Sequence, residues 1–409
     1  MPAPATELAE QVRALAGMEK LLQAAEGLAP LYLVGGAVRD LLRGERSVDL
    51  DVVVEDDAVT TARQVAARLG GRAVAHERFA TASVSAGELR ADMATARRER
   101  YERPGVLPEV EPAGLAEDLG RRDFTVNAMA IGLSGSDLGT LHDPHGGLDD
   151  LEAGLIRVLH ERSFVDDPTR LLRALRYEAR LGFDLEPEAE RLAREAAATG
   201  ALATVSGARV RDELMDLLAE PEAPAAVGRL RDLGIARALH PLLRADPELV
   251  AGAALGSAET GASPALAGLA ALCSEAPAEL EELVHRLALP AADRLAVMRA
   301  AVRGPALADS LQAALRPSEL HALLSPEPPE ALALALALGA PGEPVLRYLA
   351  ELRGTRLEIG GDDLLAAGVP PSPAIGRALE ETLRRKLDGE ISGREEELRS
   401  ALALAEGEQ

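Results

Sequence analysis

Hydrophobic and polar positions change their spacing about one third of the way along the chain. Short apolar runs at 31–34, 50–54, 73–75, 82–85 and 128–133 have the length of buried strands and are separated by helical or loop segments. From about residue 150, Leu and Ala recur at three- and four-residue spacings, which is the period of amphipathic helices. The pattern predicts an N-terminal α+β domain followed by an all-helical region.

Clusters of proline, glycine and serine predict the turns between the later helices. They lie near 199–207, 219–224, 251–264, 303–305, 325–329 and 339–344. No period in this region is strict enough to indicate a solenoid. At 409 residues, the chain is too long for one compact core, and we expect about two to four domains.

Composition indicates a soluble cytoplasmic protein. A single cysteine, Cys273, excludes a disulfide framework and a cysteine zinc site, and it fits a reducing cytosol. The N-terminus carries acidic residues and lacks the apolar core of a secretory signal. The Ala/Leu-rich stretch around 330–340 is too short to span a bilayer, so we expect no membrane partner.

The charge argues against one class of function. A net charge of −23 does not suit a nonspecific nucleic-acid binder that is held by counterion release. A nucleic-acid enzyme is still possible, because local patches matter more than totals. Nearly all basic residues are arginines, which suit bidentate phosphate contacts, although a GC-rich genome explains the same bias.

Two aspartates lie one residue apart at the start of the second apolar run, in LYLVGGAVRDLLRGERSVDLDVVV (31–54). Residues i and i+2 of a strand point to the same face, so Asp49 and Asp51 are expected to project together. Adjacent carboxylates repel unless a cation lies between them, and magnesium prefers oxygen ligands and substrate phosphates. An Asp-x-Asp alone occurs often on surface strands, but its context favours a metal site.

That context is a pair of glycines at the end of the first run. Gly35 and Gly36 have no side chains, so their backbone N–H groups can approach phosphate oxygens. Arg39 lies one helical turn further on and could contact the same phosphates, with Asp40 bracing it. Taken alone, the two glycines would equally suit a tight turn between a strand and a helix, and Arg39 and Asp40 would equally suit a surface ion pair. A strand, two glycines, a helix and an Asp-x-Asp strand together predict a nucleotide-phosphate site.

These residues resemble the signature of the polymerase-β-like nucleotidyltransferases, specifically the class II branch of tRNA CCA-adding enzymes and bacterial poly(A) polymerases. LVGGAVRDLL and DLDVVV are similar to the first motif of that branch. The second to fifth motifs resemble RRDFTVNAMAIGL (121–133), DPHGGLDDLEAGLIRVL (143–159), SFVDDPTRLLRALRYEARLGF (163–183) and VSGARVRDELMDLL (205–218). The resemblance is strong over roughly 30–220 and weaker through 232–243 and 359–391.

The resemblance implies an α+β fold, in which a polymerase-β-like nucleotidyltransferase head with a small mixed β-sheet precedes an elongated all-α neck, body and tail. We expect the head at 1–150 and a neck with the nucleobase-recognition helix at 151–220. The body is expected at 221–310, and a tail that contacts tRNA at 311–409.

The resemblance also implies a reaction. An RNA 3′-hydroxyl attacks the α-phosphate of a nucleoside triphosphate, and two Mg²⁺ ions stabilise the attacking and leaving oxygens. Asp49 and Asp51 correspond to the family's metal ligands. Asp92, in ELRADMATARRE, is expected to be a third catalytic carboxylate on a neighbouring strand, although an ordinary solvent-facing Asp is the alternative.

Nucleotide-binding residues follow from the same resemblance. Gly35, Gly36 and Arg39 fall at positions that hold the triphosphate. Arg122, Asp123 and Asn127, in RRDFTVNA, match positions around the ribose and phosphates, where an Asp can accept a hydrogen bond from a 2′-hydroxyl. A charged helix start before an apolar segment is the alternative for this motif.

The fourth motif is expected to select the base. Asp167 and Arg170 are three residues apart and are predicted to share a helix face, where they offer an acceptor and a donor to a Watson–Crick edge. In the family this pair selects cytosine or adenine. The alternative for Asp167 is a helix N-cap before Pro168.

Further residues of this helix are expected to support the site. Arg173 and Arg176 are predicted to contact the base-recognition pair or the phosphates, and Tyr177 is predicted to pack in the core. The segment ARRERYERPGVLPEV (96–110) resembles the family's flexible loop, which is implicated in the switch from adding C to adding A. We expect it to be structureless.

We favour the addition of C, C and then A to the 3′ end of a tRNA, with CTP and ATP as substrates. The alternatives are CC addition, A addition, a poly(A) polymerase, a catalytically inactive RNA-binding module and a small-molecule nucleotidyltransferase. The chain ends in ALALAEGEQ and lacks the basic extension that is typical of the similar poly(A) polymerases.

Overall fold

The structure is a computed structural model, and it describes residues 5–45, 50–77 and 80–406. Two compact units divide the chain. The first extends to Val210 and includes Asp232–Leu239, and the second comprises Arg211–Arg231 and the residues from His240 onward. The finer boundaries at 150, 220 and 310 stay a prediction. No helix in the described ranges is both long and apolar enough to cross a bilayer.

A seven-stranded mixed sheet forms the centre of the first unit. In chain order the strands of this unit are β1 (Leu31–Val34), β2 (Leu50–Val54), β3 (Arg72–His76), β4 (Thr81–Ala86), β5 (Leu89–Thr95), β6 (Arg97–Arg100), β7 (Glu109–Pro112), β8 (Ala130–Gly132), β9 (Leu141–His142), β10 (Leu155–Ile156) and β11 (Asp184–Leu185). The sheet has the order β3-β4-β5-β2-β1-β8-β9, and its one parallel pair is β2 with β5. Strands β6 and β7 form a separate antiparallel hairpin, and β10 pairs with β11. The β10–β11 pair lies beyond residue 150, so the prediction of an all-helical region there is wrong in this detail.

The helices of the first unit surround this sheet or follow it. They are α1 (Ala5–Arg13), α2 (Met18–Ala25), α3 (Gly36–Leu42), α4 (Ala58–Leu69), α5 (Leu115–Gly120), α6 (Gly147–Ala153), α7 (Ser163–Asp166), α8 (Arg170–Leu181) and α9 (Pro187–Ala198). The unit boundary after Val210 falls within α10 (Gly207–Ala219), and α12 (Ile235–Leu239) also belongs to the first unit.

The two faces of the sheet are covered differently. One face carries the large apolar core, in which residues such as Leu33, Val52 and Met93 pack against α1, α2 and α4. Among the residues that the structure describes, the other face carries a smaller cluster around Val34, Val53, Ala96, Leu115, Leu119 and Ala130. Polar residues of β2, β4 and β5 therefore stay accessible on this second face. The strands predicted at 31–34 and 50–54 are confirmed, and the run at 128–133 forms the shorter strand β8.

In the described part of the second unit, the regular secondary-structure elements are all helices, joined by turns and loops. Its further helices are α11 (Ala223–Asp232), α13 (Pro247–Thr260), α14 (Pro264–Leu272), α15 (Pro277–Arg286), α16 (Ala291–Ser310), α17 (Pro317–Leu324), α18 (Pro329–Ala337), α19 (Gly342–Arg347), which continues as a π-helix over Tyr348–Leu352, α20 (Gly361–Ala366), α21 (Pro373–Leu387) and α22 (Gly393–Glu406).

Two predicted turns are instead continuous helix, because their glycines serve close packing. The residues 303–305 lie inside α16, and a Cβ at Gly304 would be 2.8 Å from the Leu334 side chain on α18. Most of 251–264 lies inside α13, and a Cβ at Gly256 would be 2.7 Å from the Ala333 carbonyl oxygen. Glycine at these positions lets helix backbones approach each other. Sequence rules for turns do not distinguish a glycine that serves close packing from a glycine that ends a helix.

Candidate active site

Two carboxylates lie next to each other on the accessible face of the sheet. Asp51 on β2 is the parallel partner of Asp92 on β5, and both residues are exposed. Direct cross-strand partners point to the same face, so the structure brings these two predicted catalytic residues together. Asp49, the other predicted metal ligand, lies outside the described residues. A cleft of about 410 Å³ is lined by Asp51, Asp92, Arg121 and Arg122 among others.

The donor set fits a hard divalent cation. Carboxylate oxygens are ligands that magnesium takes, and magnesium commonly uses only one or two carboxylates together with water and substrate phosphates. Within the described ranges, no group of three His, Cys, Asp or Glu side chains is placed to hold a metal ion. Asp51 and Asp92 therefore suit a site that is completed by water or a phosphate.

The glycine pair forms a turn beside these carboxylates. Gly35 has a φ of +69°, in the region that favours glycine, and it links β1 to α3. A Cβ at Gly35 would lie 3.0 Å from Arg122 Nη1 and 3.9 Å from Asp51 Oδ2. A backbone turn, a guanidinium and a carboxylate thus converge on one point, which is the arrangement that a triphosphate with its cation requires.

A cavity of about 340 Å³ joins this turn to the region of the fourth motif. Nine of the predicted site residues line it: Gly35, Gly36, Asp51, Arg122, Asp123, Asn127, Asp167, Arg170 and Arg173. Its volume is within the range of small-molecule sites. The cavity therefore gathers residues that are more than a hundred positions apart in the chain.

Four further residues that line this cavity were not among the predicted site residues: Glu99, Tyr101, Arg121 and Tyr177. Arg121 donates to Glu99 Oε1 at 3.0 Å, and the Tyr101 hydroxyl donates to Glu99 Oε2 at 3.2 Å. Burial, together with the Glu99 carboxylate, raises the pKa of Tyr101 to about 12. Arg121 could have been predicted, because it lies next to Arg122 in the motif RRDFTVNA. No sequence pattern indicates that Glu99 contacts Arg121.

Tyr177 differs from its prediction as a core residue. Its ring is half-buried, lines the cavity and makes an edge contact with Phe124. The guanidinium carbons of Arg39, Arg173 and Arg176 lie 5.4–5.8 Å from the ring centre. Tyr177 is thus an aromatic surface that gathers cationic side chains.

Two predicted nucleotide-binding residues, Arg39 and Arg176, are outside the cavity lining. Arg39 is only 3% exposed, and its Nε donates to Asp40 Oδ1 at 2.8 Å, which confirms the predicted bracing. Arg39 Nη1 donates to Asn127 Oδ1 at 2.8 Å. Arg39 therefore supports the glycine turn and Asn127 from behind the cavity surface.

Asp123 is a buried residue of the cavity wall whose carboxylate links Asn127 to Arg173. Its Oδ1 accepts from Phe124 N and Asn127 Nδ2, and its Oδ2 accepts from Arg173 Nε at 3.0 Å and Nη2 at 2.6 Å. Burial alone would raise the pKa of Asp123, but the Arg173 guanidinium and the Asn127 amide outweigh it and hold the pKa below its usual value. These four bonds occupy the carboxylate, so the predicted ribose contact would have to replace one of them.

The predicted helix face shared by Asp167 and Arg170 is wrong. Helix α8 begins at Arg170, and Asp167 precedes it with extended backbone angles. Asp167 Oδ1 accepts from Thr169 N at 3.1 Å and Thr169 Oγ1 at 2.7 Å, which is an Asx turn ahead of the helix. The N-cap of α8 is Thr169, so the N-cap alternative for Asp167 does not hold either. Both side chains nevertheless line the same cavity. Arg170 is 5% exposed and donates to Ser163 Oγ at 2.7 Å and to the Arg121 carbonyl oxygen at 2.8 Å.

Arg209, on α10, holds the Asp167 carboxylate from the other side. Its Nη2 donates to Oδ1 at 2.9 Å and Oδ2 at 2.8 Å of Asp167. Its Nη1 donates to the Gly105 carbonyl oxygen at 3.3 Å, and Gly105 N donates to the Asp166 carbonyl oxygen at 3.2 Å. The segment after β6 is therefore anchored beside Asp167.

The prediction that 96–110 is structureless is wrong as well. The segment begins and ends in the β6–β7 hairpin, in which Arg98 donates to Glu111 Oε2 at 2.6 Å. All four residues of β6 are charged, and all four residues of β7 are exposed, so the hairpin lacks the buried apolar face that marks a half-buried strand. The remaining connection, 101–108, carries the Gly105 anchor.

Two protein families match parts of this chain. The family described as "Poly A polymerase head domain" matches residues 31–157, and the family described as "Probable RNA and SrmB-binding site of polymerase A" matches residues 182–246.

Relatives match most of the chain. An A-adding tRNA nucleotidyltransferase of Geobacter sulfurreducens is 36% identical over 92% of this chain and 45% of its own length. A CC-adding tRNA nucleotidyltransferase of Deinococcus radiodurans is 36% identical over 91% of this chain and 88% of its own length. The chain spans half or less of the length of several A-adding relatives that it matches.

Solved structures match over nearly the whole chain. A CCA-adding enzyme in an apo form has a TM-score of 0.82 and 35% identity over 98% of this chain and 96% of its own. A Thermotoga maritima CCA-adding enzyme in complex with tRNA has a TM-score of 0.78 and 32% identity over 98% of both chains.

Proposed function

We propose, from the premise that this chain belongs to the class II CCA-adding tRNA nucleotidyltransferase family, that it adds nucleotides to the 3′ end of a tRNA. The observation that carries the proposal is the single cavity that joins Asp51, the Gly35–Gly36 turn and the Asp167/Arg170 pair. A nucleoside triphosphate needs a cation site, a phosphate site and a base site at fixed separations. These three features supply one of each.

The nucleotide is held along this cavity. The backbone at Gly35 and Gly36 and the Arg122 guanidinium bind the triphosphate, and Asp123 keeps Arg173 directed at the cavity wall. Mg²⁺, held by Asp49, Asp51 and Asp92, would neutralise charge on the phosphate oxygens. The 3′-oxygen of the RNA forms a bond to the α-phosphorus, the bond to the bridging oxygen breaks, and pyrophosphate leaves.

Asp167 and Arg170 select cytosine and adenine over uracil and guanine. Cytosine and adenine both present an amino donor beside a ring-nitrogen acceptor, and uracil and guanine present a carbonyl beside a ring N–H. Asp167 accepts from the amino group and Arg170 donates to the ring nitrogen. The bonds of Arg170 to Ser163 and to the Arg121 carbonyl oxygen, and those of Asp167 to Thr169 and Arg209, fix both groups before the base arrives.

The full sequence C, C, A from CTP and ATP is the reaction we propose, and the near-complete match to a CCA-adding enzyme of known structure supports it. Addition of A alone is the second candidate. It is favoured by A-adding relatives of Halalkalibacterium halodurans and Aquifex aeolicus, which are 46% and 48% identical over about half of the chain.

Three tRNA transcripts that end before CCA, after C and after CC distinguish these reactions. Each is incubated with CTP, ATP or both and with Mg²⁺, and the products are resolved on a sequencing gel. Completion to CCA on all three, followed by a halt, is expected. Extension of only the CC-ended transcript establishes A addition, a stop at CC establishes CC addition, and a long A ladder establishes a poly(A) polymerase. No extension of any transcript would refute the proposed function.

A further inference from the structure

Three polar side chains form a row across the accessible face of the sheet. Ser83 on β4 is the antiparallel partner of Asp92 on β5, and Asp92 is the parallel partner of Asp51 on β2. Direct partners point to the same face, so the three side chains lie side by side. We call Ser83, Asp92 and Asp51 the carboxylate row.

A short hydrogen bond joins the first two members of the row. Ser83 Oγ donates to Asp92 Oδ1 at 2.5 Å, within the roughly 2.5–2.7 Å that is usual for a hydroxyl on a carboxylate. In the described part of the chain, Asp92 Oδ2 has neither a hydrogen-bond partner nor an ion-pair partner. One oxygen is therefore engaged by protein, and the other is available to a cation.

The strand keeps the hydroxyl in place. Ala82 and Val84, which flank Ser83, are each 1% exposed and belong to the large core on the opposite face. The alternation of side chains along a strand then directs Ser83 to the accessible face. The hydroxyl is thus held by the core packing of β4, and the carboxylate is held by the hydroxyl.

We propose that Ser83 is a positioning residue for the cation-binding carboxylate Asp92. The hydroxyl fixes the rotation of the carboxylate, so that Oδ2 is presented to the cation it shares with Asp51. The inference rests on the proposed function, because it takes Asp92 as a metal-binding residue. Without the hydroxyl, an exposed carboxylate turns about its terminal torsion and binds the cation less tightly.

Binding of Mn²⁺ to the full chain, without RNA or nucleotide, tests this directly. Electron paramagnetic resonance reports free Mn²⁺ during a titration, and Asp92→Asn identifies the part of the binding that depends on the row. Ser83→Ala is expected to weaken that part about tenfold, as is usual for partners of metal ligands. Ser83→Thr keeps a hydroxyl and is expected to bind Mn²⁺ as the wild type does.

The chain offers a matched control. Ser85 lies two residues further along β4 on the same face, and within the described residues its hydroxyl makes no hydrogen bond. Ser85→Ala is expected to leave Mn²⁺ binding unchanged. The double variant Ser83→Ala/Asp92→Asn is expected to bind no more weakly than Asp92→Asn alone, because Ser83 acts only through Asp92.

Extension of the tRNA transcripts separates this inference from the proposed function. The same variants are assayed over a range of Mg²⁺ concentrations, and Ser83→Ala is expected to require about tenfold more Mg²⁺ for half-maximal rate. If Asp92→Asn weakens Mn²⁺ binding and Ser83→Ala does not, the inference is overturned and the proposed function stands. If neither Asp51→Ala nor Asp92→Asn alters Mn²⁺ binding or extension, the proposed site fails, and the inference fails with it.

Discussion

Removal of the Arg209 side chain should loosen the carboxylate that we assign to base recognition. The Arg209 and Asp167 side chains are 26% and 15% exposed, and the ion pair is 2.8 Å long. It lies between an exposed pair, which contributes about 0–1 kcal/mol, and a buried pair, whose breaking costs about 3–5 kcal/mol. We take about 2 kcal/mol, which is about 30-fold in a rate or binding constant.

Part of this loss should be compensated at the other side of the carboxylate. Thr169 N and Thr169 Oγ1 still donate to Asp167 Oδ1 in Arg209→Ala, so Asp167 keeps its place but not its orientation. We expect kcat/KM to fall about tenfold for both CTP and ATP, with a larger share of UTP incorporation. Arg209→Lys keeps the charge without the planar fork and should be intermediate.

Single-turnover incorporation of CTP, ATP and UTP into the tRNA transcripts measures both effects. Arg191→Ala is the matched control, since it removes an arginine of the same unit whose pairs with Glu188 and Glu195 are exposed. That variant should behave as the wild type does. A folded Arg209→Ala protein with wild-type kcat/KM and wild-type rejection of UTP would refute the reasoning.

The structure makes three further predictions. Asp51→Ala should abolish nucleotide transfer, because it removes a cation ligand. It should leave Tm unchanged, because the Asp51 side chain is exposed. Transfer near the wild-type rate in this variant would contradict the metal assignment. Gly147→Ala should lower the free energy of unfolding by about 2 kcal/mol or more in urea melts, since its Cβ would lie 2.2 Å from the Thr125 carbonyl oxygen. Gly376→Ala, in an open part of α21, should be neutral or stabilising by about 0.5–1 kcal/mol, and equal losses in both variants would contradict the packing argument. Because the pKa of Asp123 is lowered on folding, its stabilisation is complete above the unfolded value of about 3.9 and is lost as the pH falls through the lower folded value. Asp123→Asn should therefore reduce the acid-induced loss of stability in melts between about pH 5 and pH 2, and an unchanged pH profile would contradict this role.

Local patterns predicted the part of the site that is local in sequence. The succession of β1, the glycine turn and β2 could be predicted from sequence. The strand lengths, the glycine pair and the Asp-x-Asp spacing that indicate it all lie within residues 31–54. The place of Asp92 beside Asp51 did not follow from local spacing: it was expected from the resemblance to the family, and its strand β5 was not among the predicted apolar runs. The apolar periods separated the mixed sheet from the helices for the same reason.

Contacts between distant segments were not readable from one sequence. The bond from Arg209 to Asp167 spans 42 residues, and that from Arg121 to Glu99 spans 22. Both depend on how α10, β6 and the fourth motif pack, and no local spacing encodes that. The β6–β7 hairpin was missed because all four residues of β6 are charged and β7 is only four residues long and ends in proline.

The most direct test of the central claim is a crystal structure of the full chain with Mg²⁺ and a CTP analogue whose α–β bridging oxygen is replaced by a methylene group. We expect the triphosphate at Gly35, Gly36 and Arg122, with a cation at Asp51. We also expect the amino group of cytosine at Asp167 and the ring nitrogen at Arg170. A nucleotide bound outside this cavity, or inside it with its base directed away from Asp167 and Arg170, would contradict the account.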